Sequence, residues 1–317
     1  MIDHDTHDTN SSAALIEPAR SDAELVAEIA AERPEPGAAT LWWLGQSGFL
    51  IKFPDVTLLI DPYLSESLTT KYAQTDRPHI RMTRAALRPD QTAGLVDLVL
   101  CSHKHSDHLD PATVPEVLRV NPQAKLVLPA ALWDHALGLG LDVRRLVGLE
   151  SGTVVAAPRG GVTIRAVPSA HETLERDHLG RHWFLGFVIE CQGGALRMYH
   201  SGDTMRYDGL EEQLGPGPWD LLMLPINGRD PARGVAGNMG IAEALGVAAR
   251  MRPRFLIPHH FEMFTFNTAD RNDFRRHACG EGGLPAEVQP VDLRCGQRWV
   301  CPPRSPRVVE SEGTSPA

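Results

Sequence analysis

Apolar and polar positions alternate in short blocks along most of this chain. From Ser21, the segment SDAELVAEIAAE places Leu25 and Ile29 on one face of a short helix, with Ser21 as its N-cap and Pro34 and Pro36 beyond its end. LWWLGQSGFLIKF (41–53) reads as two strands around a glycine turn, and VTLLIDPYL (56–64) as a buried strand ending at Asp61. Residues 65–94 break the pattern and read as a long functional loop or an insertion. VDLVLCS (96–102) is a buried strand, and 111–120 a helix with Pro111 early in it. A strand over 124–130 and a helix over 131–140 that ends in glycine come next. TVVAAP, VTIRAVPSAH, FLGFVIEC and ALRMYHSGD are strands in quick succession, and WDLLMLPING (219–228) is another. A helix over 239–251, the strand RFLIPHHF (254–261) and a polar helix over 270–279 complete the pattern. Strands then helices, twice over, predict a four-layer α/β/β/α sandwich of two similar halves. The ends are polar: residues 1–20 are expected to be mobile, and the Pro/Ser/Glu-rich tail after residue 302 unfolded.

Composition narrows the setting. A chain of 317 residues that is 42% hydrophobic can bury a core without disulfides. Its formal net charge of −9 argues against nucleic acid as a partner, while leaving room for a local basic pocket. Cys101, Cys191, Cys279, Cys295 and Cys301 form no CxxC pair, which favours free thiols and a reducing compartment. The start, MIDHDTHDTN, lacks the basic-then-apolar pattern of a signal peptide, and no apolar run is long enough to span a bilayer. The expectation is a cytoplasmic protein that engages no membrane.

The 14 histidines carry the chemistry. His103-Lys104-His105-Ser106-Asp107-His108 packs three imidazoles and a carboxylate directly after an apolar strand. In an extended or turning segment, His103 and His105 point the same way and can clamp one ion, while Asp107 and His108 face a second. Imidazole nitrogen and carboxylate oxygen without an adjacent thiolate suit zinc, manganese or iron. A histidine-rich surface turn is the plain alternative. Against it, Asp61, His171, Asp203 and His260 each terminate an apolar strand, so all can converge on one edge of the sheets. Singly, Asp203 could cap a glycine turn and His259–His260 could be a surface pair.

HKHSDH, with Asp61, His171, Asp203 and His260 in this order, resembles the metallo-β-lactamase-fold hydrolases over roughly residues 40–300. WWLGQSGFLIK, LLIDPYLS, HSGDT, LPINGRD and IPHHFEMFTFN are most similar to the ascorbate-6-phosphate lactonase branch. The resemblance implies a hydrolase domain over 38–301, flanked by an extension with a short helix (1–37) and a tail (302–317). It implies one metal held by His103, His105 and His171, a second by Asp107, His108 and His260, and Asp203 bridging them. His260 is preferred to His259 because the related motif reads IPxH. Hydrolysis by activated water follows from such a ligand set, with Asp107, His108 and Asp203 as the catalytic residues and Asp107 orienting the nucleophile or taking its proton.

Substrate contacts are read more loosely. Asn227, Arg229, Arg233 and Asn238 follow the strand 219–226, and the two arginines could hold a phosphate or carboxylate by paired hydrogen bonds. Lys71, Arg77, His79 and Arg81 could form a lid or a subunit contact. Ser47 in GQSG is not a GxSxG nucleophile, and Trp42 and Trp43 read as core. The expected activity is a lactonase acting on a small, anionic sugar-acid lactone, phosphorylated or not, with two divalent ions, zinc or manganese, or else iron. Family resemblance suggests a homo-oligomer. The rival readings are a phosphodiesterase of the same fold, similar to N-acyl phosphatidylethanolamine phospholipase D or acting on cyclic nucleotides, and a metal-bound sensor without turnover.

Overall fold

The computed structural model describes residues 14–304. Its strands are β1 (Ala39–Gly45), β2 (Gly48–Lys52), β3 (Thr57–Ile60), β4 (Leu98–Leu100), β5 (Lys125–Pro129), β6 (Leu146–Leu149), β7 (Val154–Ala156), β8 (Val162–Pro168), β9 (Leu185–Cys191), β10 (Leu196–His200), β11 (Leu221–Pro225), β12 (Phe255–His259), β13 (Gln289–Pro290) and β14 (Arg298–Cys301). They form two seven-stranded sheets, ordered β14-β1-β2-β3-β4-β5-β6 and β7-β8-β9-β10-β11-β12-β13. The pairing directions match position by position. β1–β2–β3 and β8–β9–β10 are antiparallel, while β3 through β6 and β10 through β13 run parallel. The outermost strands are exchanged: β7, the last of the first half, pairs with β8, and β14, the last of the second half, pairs with β1.

The parallel strands LLI, LVL, LLMLP and most of FLIPH are buried on both faces, as expected when helices cover a sheet that packs on another. One apolar cluster runs through both sheets and includes Trp42, Trp43, Leu58, Val99, Phe187 and Leu222. Helices α1 (Asp22–Ala31), α2 (Ser67–Tyr72), α3 (Val114–Val120), α4 (Trp133–Gly138), α5 (Leu210–Leu214), α6 (Ile241–Met251) and α7 (Arg271–Cys279) flank the sheets. The result is the expected α/β sandwich.

Several local expectations change. α1 starts after Ser21, but the hydroxyl accepts from Arg84 instead of capping the helix, and Leu25 and Ile29 are fully buried. α3 begins at Val114 with Pro115, not Pro111, in its first turn. Residues 14–20 are tied down: Ile16 bridges Thr83, and Ala19 N–H donates to Cys295 C=O. Residues 1–13 lie outside the described chain, as does the expected unfolded tail from residue 305. Arg304 still anchors on the buried carboxylate of Asp220. The five cysteines are free. Among the described residues, no helix is long and apolar enough to cross a membrane.

Candidate metal centre

The strands that lead to the site are mostly apolar, and the candidate ligands lie just beyond their ends, where the backbone leaves the sheet. Asp61 follows β3 and Asp203 follows β10, the equivalent strand of the other half. The run from His103 to His108 follows β4, and His260 follows β12. His171 lies just beyond β8, and Gln46 lies in the β1–β2 turn. Gln46, Asp61 and His260 have φ of +50°, +42° and +63°, a left-handed backbone that side chains other than glycine rarely adopt. Such strain concentrates where function over-determines the backbone.

Three donor groupings converge, each with its ligand atoms within 4.8 Å of one another: His103–His105–His171, His103–His108–Asp203 and Asp107–His108–His260. His103 Nε2 and His105 Nδ1 are 2.9 Å apart. His171 Nδ1 donates to the Gly237 carbonyl at 2.9 Å, which turns Nε2 towards Asp203 Oδ2, 4.0 Å away. His260 Nε2 lies 3.1 Å from Asp203 Oδ2 and 3.8 Å from Asp107 Oδ2. Asp203 thus sits between both triads. His259 points away: it meets Ser47 Oγ at 3.0 Å and stacks on His200, with ring centroids 5.0 Å apart.

The donors fit a cation. His108 Nδ1 bonds Asp61 Oδ2 at 2.8 Å, and Asp61 is itself held by the amide and hydroxyl of Ser102. The other ring nitrogen of His108, Nε2, is fully buried and has no hydrogen-bond partner, although Asp203 Oδ1 is 3.3 Å away and Asp107 Oδ2 3.7 Å. A buried orphan nitrogen among carboxylates, with a second carboxylate behind the ring, is the arrangement that metal-binding histidines use. The charge pattern agrees. Burial, reinforced by neighbouring histidines, holds His103 well below the ordinary imidazole range, and burial brings His105 down to about 4. Both are therefore neutral at pH 7, the form that coordinates metal. Burial would also lower His108, but Asp203, Asp107 and Asp61 outweigh it and raise His108 well above the ordinary value. For Asp203, burial pulls upward and loses to His108 and His260, so its carboxylate stays ionised. The cluster thus demands positive charge, and a proton on His108 supplies it where no metal does.

The predicted substrate contacts fare differently. Arg229 pairs with Glu243 at 3.2 Å, and Arg233 Nη1 donates to the Asn227 carbonyl at 2.6 Å. Neither arginine lines the cavity of about 400 Å³ that opens over the cluster, which corrects their expected role as an anion clamp. Asn238 and Asn227 are buried beneath the site instead of facing a substrate. Asn238 Nδ2 donates to Asp203 Oδ2 at 2.9 Å and is itself 3.2 Å from Asn227 Oδ1. Sequence reasoning missed Gln46, whose Nε2 donates to Asp107 Oδ2 at 2.8 Å. The polar residue between two turn glycines was its signal. Of the 65–94 segment, Lys71 and His79 reach the cavity. Arg81 is buried in an ion pair with Glu66, and Arg77 donates to the Arg233 carbonyl.

A family model described as "Beta-lactamase superfamily domain" matches residues 57–261. A protein of Opitutus terrae named "UPF0173 metal-dependent hydrolase" is 31% identical over 230 residues, covering 70% of this chain and 84% of the relative. An Archaeoglobus fulgidus protein of the same name is 28% identical, covering 81% of this chain and 96% of that one. Among solved structures, the isothiocyanate hydrolase from Delia radicum gut bacteria superposes with TM-score 0.64 at 19% identity, covering 82% of this chain and 98% of that one. At that identity the likeness is one of fold. Domain match, relatives and donor geometry agree: the chain belongs to the beta-lactamase superfamily, in its metallo-β-lactamase fold, among relatives named as metal-dependent hydrolases.

Proposed function

We propose that this chain is a metal-dependent hydrolase that cleaves the acyl C–O bond of a small anionic lactone or ester. The observation that carries the reading is the orphaned Nε2 of His108, backed by Asp61 and facing Asp203 where the two ligand triads meet. His103, His105 and His171 would hold one divalent ion, and Asp107, His108 and His260 a second, with Asp203 between them. Zinc or manganese suits these donors, with iron as a third option. Divalent ions held there supply Lewis-acid polarisation and bring water's pKa towards about 7.

The chain's own groups do the rest. Asp107, held by Gln46 at the cavity wall, is placed to orient the attacking water and take its proton. Asn238 and Ser47 fix Asp203 from behind, at 2.9 and 3.4 Å, so this carboxylate does not swing as charge develops. Water's oxygen bonds to the carbonyl carbon, the C–O bond to the leaving oxygen breaks, and that oxygen takes up a proton. A lactone gives one hydroxy acid and an ester gives an acid and an alcohol, the acid being ionised at neutral pH.

The test is metal content per chain, with a turnover screen of the same preparation. The screen holds a sugar-acid lactone, a simple lactone, a bis-aryl phosphodiester and a β-lactam. About two ions per chain with lactone opening supports the proposal. Phosphodiester turnover alone would replace it with a phosphodiesterase. Metal binding without any turnover would favour a sensor, and failure to bind zinc or manganese would refute the ligand assignment.

A further inference from the structure

The cavity over the metal cluster has two unlike walls. One is the cluster itself, with His105, Asp107, His171, Asp203 and His260. The other is built from three segments remote in sequence: α2 with Leu68, Lys71 and Tyr72, the loop residue His79, and the pair Phe264 and Phe266. His79 is the hub of that wall. Its ring stacks on Tyr72 at 4.2 Å between centroids and takes Phe264 and Phe266 edge-on at 5.0 and 4.7 Å. Burial depresses the pKa of His79, so the hub is neutral and the aromatic part of the wall carries no charge of its own. Val235 and Ala236 extend the apolar lining.

The cations of this cavity are Lys71 and Lys104, each with its amine over an aromatic ring, Tyr72 at 5.0 Å and Trp183 at 5.5 Å. The nearby guanidiniums are spent elsewhere: Arg229 on Glu243, Arg233 and Arg77 on main-chain carbonyls, and Arg81 on Glu66. A phosphate would want the bidentate fork of arginine, and a polyol would want a wall of hydrogen-bonding side chains. No arginine lines this cavity, and its neutral hydrogen-bonding side chains beyond the cluster and the aromatic wall are Ser106, His135 and Asn267, the last already accepting from Asn227. Flat apolar rings opposite a metal cluster, with point charges at the side, match a substrate with an apolar body and a single negative charge.

We propose that the Tyr72–His79–Phe264–Phe266 wall selects lactones or esters bearing an aryl or alkyl group and a carboxylate, over polyhydroxylated sugar lactones. The proposal rests on the hydrolase reading for the reaction but not for the binding. The test uses the full chain loaded with zinc and two δ-lactones of equal ring size, one phenyl-substituted and one polyhydroxylated. The wall predicts kcat/KM at least about tenfold higher for the phenyl lactone, the usual scale of a pocket reading apolar bulk. Phe266→Ala and Tyr72→Ala should each shrink that ratio severalfold. Lys71→Gln should raise KM for a carboxylate-bearing phenyl lactone more than for its neutral parent.

Calorimetric binding of the ring-opened phenyl hydroxy acid and of gluconate gives a readout independent of turnover. If neither lactone is opened, the lactone-opening reading fails, and tighter binding of the phenyl acid still supports the wall. Equal or preferred binding of gluconate, or a phenyl-to-polyol ratio that neither aromatic substitution changes, would overturn it.

Discussion

Asp61 never reaches the cavity, yet it decides what His108 can do. By holding Nδ1, it leaves Nε2 as the free nitrogen and fixes the ring plane. Asp61→Asn preserves shape but weakens that hold, and metal affinity should drop about 10- to 100-fold, as measured by competition with a chromophoric chelator. An unchanged affinity would mean that His108 is not a ligand. The adjacent histidines separate cleanly. His260→Ala should remove about one metal per chain by elemental analysis. His259→Ala should leave metal content intact and instead lower the melting temperature, since it empties a packed site between Ser47 and His200. At this scale the candidate ligands were readable because each lies within a few residues of the end of a largely apolar strand. Asn238 was misread as facing a substrate, because sequence cannot show which way a loop side chain turns.

Elements are held in register by close approaches at the site. Gly202 has φ +58°, and a Cβ there would lie 2.6 Å from Ser102 Cβ. This contact lets the ends of β10 and β4 approach, and so brings Asp203 to the histidines after β4. Gly202→Ala should cost about 1–3 kcal/mol in denaturant unfolding of the metal-free protein and weaken metal binding further. A variant with wild-type stability and affinity would show that the two strand ends need not touch. Long apolar strands were legible from pattern alone. β6, β13, β14, α2 and α5 were not, since two to six residues carry no usable period. The aromatic wall escaped for another reason. Its parts come from residues 68–72, 79 and 264–266, and only the fold brings them together.

For the whole molecule, the opposed shifts of its buried histidines predict how stability depends on pH. His103 and His105 have lowered folded pKa values, so between about 4 and 6.5 the unfolded chain binds more protons and stability rises with pH. His108 has a raised folded value, so its contribution is complete below about 6.5 and is lost as pH climbs through that raised value. Metal-stripped protein should therefore unfold at its highest denaturant concentration near pH 6.5. Loaded protein should keep its stability on the alkaline side, because the ion takes the proton's place. Parallel pH profiles with and without metal would count against this account.

The exchange of outer strands has a practical consequence. Each half of the chain lends its last strand to the other's sheet, and each contributes only part of the candidate metal centre: His103, His105, Asp107 and His108 from one, His171, Asp203 and His260 from the other. A gene cut at the Gly160–Gly161 turn should yield two fragments, each with an unpaired sheet edge that only its counterpart can fill. Mixed together they should reassemble, and added zinc should tighten the pair, read as fragment affinity with and without metal. The ion would then act as a clasp between two interlocked pieces, and a chelator as the means of opening it.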